Sequence, residues 1–88
     1  MYLAHPNDVR RYVDLPNGDL SSLQSASDWV ESRVALNGRI PDAVREATAL
    51  LAAVYHCDPD SRTDDSRVPN MVRVMLVPWS RPLGYPRD

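Results

Sequence analysis

The sequence predicts an all-α domain, a small bundle of about four helices with a long polar loop and an extended C-terminal tail. Three observations predict it. Pro6, Pro41 and Pro69 each stand at the start of an amphipathic segment, where a helix tolerates a missing N–H. Within those segments the apolar residues recur three and four apart. The one run that alternates like a strand, Val72, Val74 and Leu76, has no second strand to pair with. With 88 residues, 43% of them hydrophobic, the chain reads as one domain over 1–88, its core at about 6–77 and its tail at 78–88. A domain of this size buries roughly 60–65% of its unfolded surface, a thin margin that an oligomeric interface would supplement.

The first helix is short, about Pro6 to Asp14. Val9, Tyr12 and Val13 make its apolar face, with Arg10 and Arg11 pointing elsewhere. Leu15-Pro16-Asn17-Gly18 breaks it. The second helix runs from Asp19 or Leu20 to Leu36, with Leu20, Leu23, Ala26, Val30 and Val34 as its stripe and Asp19 as a plausible N-cap. Asn37-Gly38 stops it, because glycine accepts the left-handed conformation. Serines 21, 22, 25 and 27 fall on its polar side and read as surface residues. The third helix, Pro41 to about His56, is apolar nearly all round. Val44, Ala47, Thr48, Leu51, Val54 and Tyr55 form one stripe, and Ala43, Leu50, Ala53 and Cys57 a second. Such a helix is central; either the other helices wrap it closely or another subunit covers one face. Residues 58–67 are polar and read as a solvated, mobile loop. Residues 68–77 are read as a fourth helix from the Val68, Val72, Met75 and Leu76 spacing. The tail from Pro78 to Asp88, with three prolines, is extended.

Composition and motif spacing exclude several kinds of chemistry. The net charge is −2, and all ten cations are arginines interleaved with aspartates, so no basic stripe for nucleic acid emerges. Arginine-only usage follows from coding bias, although arginine also suits planar ion pairs at interfaces. The single cysteine, Cys57, rules out an intrachain disulfide and a cysteine-rich zinc site. His56, Cys57, Asp58 and Asp60 are the only metal-capable cluster, but no second His/Cys pair completes a tetrahedral site. The acidic loop lacks the glycine and glutamate of a calcium loop. Cys57 and His56 are helix neighbours that do not face each other, and three scattered glycines cannot cradle a phosphate. The expectation is therefore a chain without catalytic residues, metal or cofactor. No apolar run is long enough to cross a bilayer and the start lacks a signal-peptide pattern, so no membrane partner is expected.

Five residues stand out as candidate partner contacts: Trp29, Trp79, Arg81, Leu83 and Tyr85. Trp, Tyr and Arg are the types that dominate interface hot spots. Trp29 lies off the main stripe of its helix, resting on the stripe's edge or facing a partner. Trp79 either folds back to cap the core or docks on a partner, and both can hold at once.

The order of these elements resembles the small head–tail connector (adaptor, or head completion) proteins of tailed bacteriophages. The resemblance covers about Asp19 to Pro82 and rests on "IPDAVREATALLAAVYHCD", the polar loop, and "VPNMVRVMLVPWSRP". Ile40-Pro41, Ala47, Leu50-Leu51, Tyr55, Val68-Pro69, Val72, Leu76, Pro78-Trp79 and Arg81 fill the family's pattern of residue types. His56-Cys57 departs from the charged pair expected after the tyrosine, and the region before the second helix is short. The resemblance implies a structural virion protein at the neck. It would form a homo-oligomeric ring, commonly with the portal's twelve-fold symmetry, beneath the portal protein. A tail-side stopper or tail completion protein would be its other neighbour, with the genome passing through the lumen. Before assembly such a chain resides in the host cytoplasm. The competing expectation is a small helical regulatory protein that binds DNA or a protein partner. The tight Asn37-Gly38-Arg39-Ile40 link fits a helix-turn-helix, but the helix after it is Ala/Leu/Val-rich where a recognition helix exposes polar base-reading side chains.

Overall fold

In a computed structural model, which describes residues 2–14, 20–36 and 38–80, four α-helices follow one another: α1 (Pro6–Val9), α2 (Ser21–Arg33), α3 (Asp42–Cys57) and α4 (Asn70–Leu76). Short 3-10 turns at Pro59–Thr63 and Asp65–Arg67 join α3 to α4, and a third at Val77–Trp79 follows α4. The described residues contain no strand, only an isolated antiparallel bridge between Val34 and Ser80. The domain is all-α.

α3 is the axis of the fold. Its Val44, Ala47, Ala49, Leu51, Ala52 and Tyr55 are at most 1% exposed, and α1, α2, α4 and the Pro59–Thr63 turn all pack on it. Thr48 lies in the same buried surface because its hydroxyl donates to the Val44 carbonyl at 2.8 Å, which removes the cost of burying it. Of the two coverings the sequence allows for α3, the chain's own elements supply most. Ala43, Leu50 and Val54 remain half-buried and Cys57 is exposed at the helix end. Burial pushes the Tyr55 phenol above its ordinary range, with the Asp65 carboxylate acting in the same direction, so this side chain is neutral in the core.

Pro6 opens α1 from inside its first turn, but Pro41 and Pro69 stand one position earlier, as extended N-cap residues with ψ of 149° and 140°. Proline fixes φ near −65°, a value that serves a helical first turn and an extended N-cap alike, and at both sites Asp42 and Asn70 begin the helix instead. α1 carries a cap the sequence reading did not anticipate. The His5 ring accepts the Asn7 N–H at 3.0 Å, and the Asp8 carboxylate accepts the His5 N–H at 3.0 Å.

Two helices are shorter than their periodicity predicts. α1 ends at Val9, and the chain continues to Val13 as turns with bonds such as Tyr12 N–H to the Val9 carbonyl, 3.0 Å. Tyr12 is 42% exposed rather than part of an apolar face, because its hydroxyl and the Arg11 guanidinium both reach Glu46 on α3. α2 ends at Arg33 rather than Leu36. Val34 turns extended (φ −120°, ψ 154°) to pair with Ser80, and the Ala35 N–H donates to the Trp79 carbonyl at 2.9 Å. A tertiary backbone contact overrides helix propensity there. Gly38 has φ of +82°, the left-handed turn that the stop between α2 and α3 requires. The Leu15–Gly18 break, the Asp19 cap and Asn37 lie outside the described residues.

The serines of α2 are not all surface residues. Ser22 is 1% and Ser27 0% exposed. Ser27 Oγ accepts the buried Leu3 N–H at 3.0 Å, pinning the N-terminal segment to α2. Ser22 Oγ accepts from Arg62 at 2.7 Å and ties the loop to the same helix. Small hydroxyls of this kind read as polar in a sequence, yet they satisfy buried donors in a fold. Ser27→Ala strands the Leu3 N–H and is expected to destabilise the domain by about 1–3 kcal/mol, read from the midpoint of chemical denaturation.

Candidate interaction surface

Residues 58–67, the polar loop between α3 and α4, fold into two 3-10 turns held by local hydrogen bonds. Ser61 is buried, its hydroxyl donating to the Asp58 carbonyl at 2.6 Å. Asp64 caps the next turn by accepting from the Ser66 N–H and hydroxyl at 3.0 and 2.6 Å, and Arg67 pairs with Asp58 at 3.2 Å and Asp64 at 3.3 Å. The hydrogen bonds from Ser66 hold the Asp64 carboxyl below its ordinary range. Aspartate and serine supply this order through local side-chain-to-backbone bonds rather than by burying apolar surface.

The loop presents Asp65 to α2 and α4. Its carboxylate accepts the Trp29 indole N–H at 3.1 Å and pairs with Arg33, while its carbonyl accepts from Arg73 on α4 at 2.5 Å. The Arg33 and Arg73 guanidinium carbons lie 4.7 and 5.6 Å from the centre of the Trp29 ring. Stacked guanidinium groups on an indole are worth about 0.5–1 kcal/mol each at exposed sites. Trp29 therefore sits half-buried on the edge of the core, held on its polar side by three charged residues. Asp65→Ala removes the acceptor and one ion-pair partner. We expect a red-shifted tryptophan emission and a stability loss of about 1 kcal/mol by denaturation, kept small by the exposure of Asp65.

Among the described residues, α4 and its C-cap Val77 carry the most exposed of the large apolar side chains. Val68, Val72 and Leu76 face the core at 5%, 1% and 2% exposure. The opposite face holds Met71, Val74 and Val77, exposed to 63%, 59% and 64% at three-residue spacing. Arg73 borders this stripe on the side that reaches Trp29. Exposed apolar side chains grouped in this way make this face a candidate interaction surface.

Of the five residues the sequence singles out, the structure places two. Trp29 belongs to the Asp65 clasp. Trp79 folds back rather than beginning an extended tail: it is half-buried against the core, and its carbonyl accepts the Ala35 N–H. The two tryptophans thus fix α4 to the C-terminal half of α2, one through Arg73 and one through the Val34–Ser80 bridge. Arg81, Leu83 and Tyr85 lie outside the described residues. The stripe of Met71, Val74 and Val77 was not singled out, although the sequence carries its signal. Apolar residues surround almost the whole of α4, and one buried face accounts for only half of them.

Among the described residues no group of three or more His, Cys, Asp or Glu side chains is placed to hold a metal ion. No described helix is long and apolar enough to cross a membrane. No protein family, curated protein or solved structure matches this chain.

Proposed function

We propose that this chain is a structural virion protein of the head–tail connector type. It assembles as a homo-oligomeric ring of the portal's symmetry, with the portal protein on one side and a tail-side stopper or completion protein on the other. The observation that supports the reading is the outward face of α4 and its C-cap, where Met71, Val74 and Val77 stand exposed beside the Trp29–Asp65–Arg73 clasp. An apolar face on a braced helix suits permanent contact with other subunits. The surface has the makings of a docking face and none of the grouped bases or nucleophiles that a reaction would use. In this reading the protein acts without catalysis or cofactor, at the virion neck, and residues Arg81, Leu83 and Tyr85 remain candidate partner contacts.

The regulatory alternative finds less support. Arg11, Arg33, Arg45 and Arg67 are each paired with a carboxylate, and Arg62 and Arg73 are bound to serine hydroxyls and a carbonyl. Cations neutralised in this way contribute little to a phosphate-binding face. Eight of the sixteen residues of α3, the helix after the Gly38 turn, are buried, and its half-buried Ala43, Leu50 and Val54 are apolar rather than base-reading side chains.

Peptide mass spectrometry of purified particles tests the proposal. A connector is recovered from tailed particles in a copy number comparable with the portal protein. Absence of the chain from intact, tailed particles contradicts it.

A further inference from the structure

The exposed stripe of α4 has an apolar hollow at its C-terminal end. An open cleft of about 260 Å³ lies beside the end of α2, lined by Leu3, Val34, Leu36 and Ile40 with the charged Glu31 and Arg39. The Val34–Ser80 bridge is antiparallel, and the Ala35 N–H meets the Trp79 carbonyl. The backbone arriving from Val77 and Pro78 therefore comes in on the side of Val34 where Leu36, Arg39 and Ile40 lie. The ridge of Met71, Val74 and Val77 thus ends beside the cleft. The cleft is smaller than the roughly 300–1,000 Å³ of small-molecule sites, and its apolar walls suit side chains of a protein partner.

We propose that the partner is a second copy of this chain. In the pair, Met71, Val74 and Val77 of each copy seat in the cleft of the other about a two-fold axis. A ridge beside a hollow is self-complementary, which is what an isologous contact demands. Charge favours this arrangement over two stripes packed face to face. Between Val68 and Ser80 the only charged residue is Arg73, so stripe against stripe would gather two guanidinium groups with no acid on either helix. The cleft supplies the Glu31 carboxylate instead, and Arg39 is exposed, so its charge need not be buried. Area points the same way. α4 has seven residues and is about 10 Å long. Its stripe alone falls well short of the roughly 800 Å² per partner of a stable interface, whereas reciprocal seating adds a cleft to each copy's share. The pair is accordingly reversible rather than obligate. The inference concerns the free chain and stands whether or not the chain enters a particle. In the connector reading, the pair covers the α4 face until assembly and must open first.

Sedimentation velocity and methyl NMR of the full chain test it. Between micromolar and near-millimolar concentration, a monomer–dimer equilibrium with no larger species is expected. In a sample mixing labelled and unlabelled copies, intermolecular nuclear Overhauser contacts should join the Met71, Val74 and Val77 methyls to those of Leu3, Leu36 or Ile40. A single set of resonances should persist, as two-fold symmetry requires. Val74→Asp should weaken dimerisation at least about a hundredfold, because the substitution enters both contacts, with helicity by circular dichroism unchanged. A monomer at every concentration, ridge-to-ridge contacts, cleft contacts confined to one copy, or open-ended oligomers would each overturn the proposal. So would dimerisation undiminished by Val74→Asp.

Discussion

Replacing Met71 and Val74 together by aspartate is expected to leave the domain folded and to abolish its assembly. Both side chains are more than half exposed, so the folded monomer loses little on their removal. Two aspartates in a short helix cost at most about 1 kcal/mol in propensity. In an interface the same positions are decisive. Burying each apolar side chain contributes about 1.5–3 kcal/mol, and an unpaired carboxylate forced into the contact adds a desolvation penalty. The combined effect exceeds about 3 kcal/mol per contact, more than a hundredfold in affinity, and a ring multiplies it around its circumference. Circular dichroism should report unchanged helicity and a near-native denaturation midpoint, while the variant fails to enter particles. Normal incorporation would remove the outer face of α4 from the assembly surface.

Tyr55→Ala should have the largest effect on stability. Tyr55 is 1% exposed and is the largest fully buried side chain, set in the last turns of α3 where the loop returns toward α4. Truncating a buried aromatic costs about 3–5 kcal/mol through lost transfer energy and an unfilled cavity. A domain of this length has a total stability of roughly 4–13 kcal/mol. The variant should therefore melt at least about 12 °C lower, or populate the unfolded state at room temperature. Tyr55→Phe, which keeps the ring, should cost far less. A small shift in the alanine variant would mean that the surroundings of α3 collapse readily, contrary to the tightly wrapped axis described here.

The helices were legible because their signal is periodic and local. Val44 to Tyr55 on α3, and Val72 and Leu76 on α4, place apolar side chains on faces that the fold then buries. Both departures at helix ends have a cause that no local pattern contains. Val34 leaves the helix to pair with Ser80, 46 residues away in sequence, and Tyr12 swings out to Glu46. The turns within the loop were hidden for a related reason. Asp58, Ser61, Asp64, Asp65 and Ser66 look solvated by type, but their order comes from hydrogen bonds whose partners are chosen by the turn geometry. Trp29 was singled out on residue type, whereas the clasp around it depends on Asp65 and Arg73, which nothing in the spacing joins to α2. Ser22 and Ser27 illustrate the same limit from the core side, since burial of a hydroxyl follows from a donor contributed by a distant segment.

The most direct test of the central claim is genetic. The gene would be disrupted in the phage or prophage that carries it and the particles examined by electron microscopy, with restoration by the wild-type chain as the control. A connector predicts heads without tails, packaged or leaking, that regain tails on complementation. Normal infectious, tailed particles from the disrupted strain would contradict a role at the head–tail junction and leave the regulatory reading in its place.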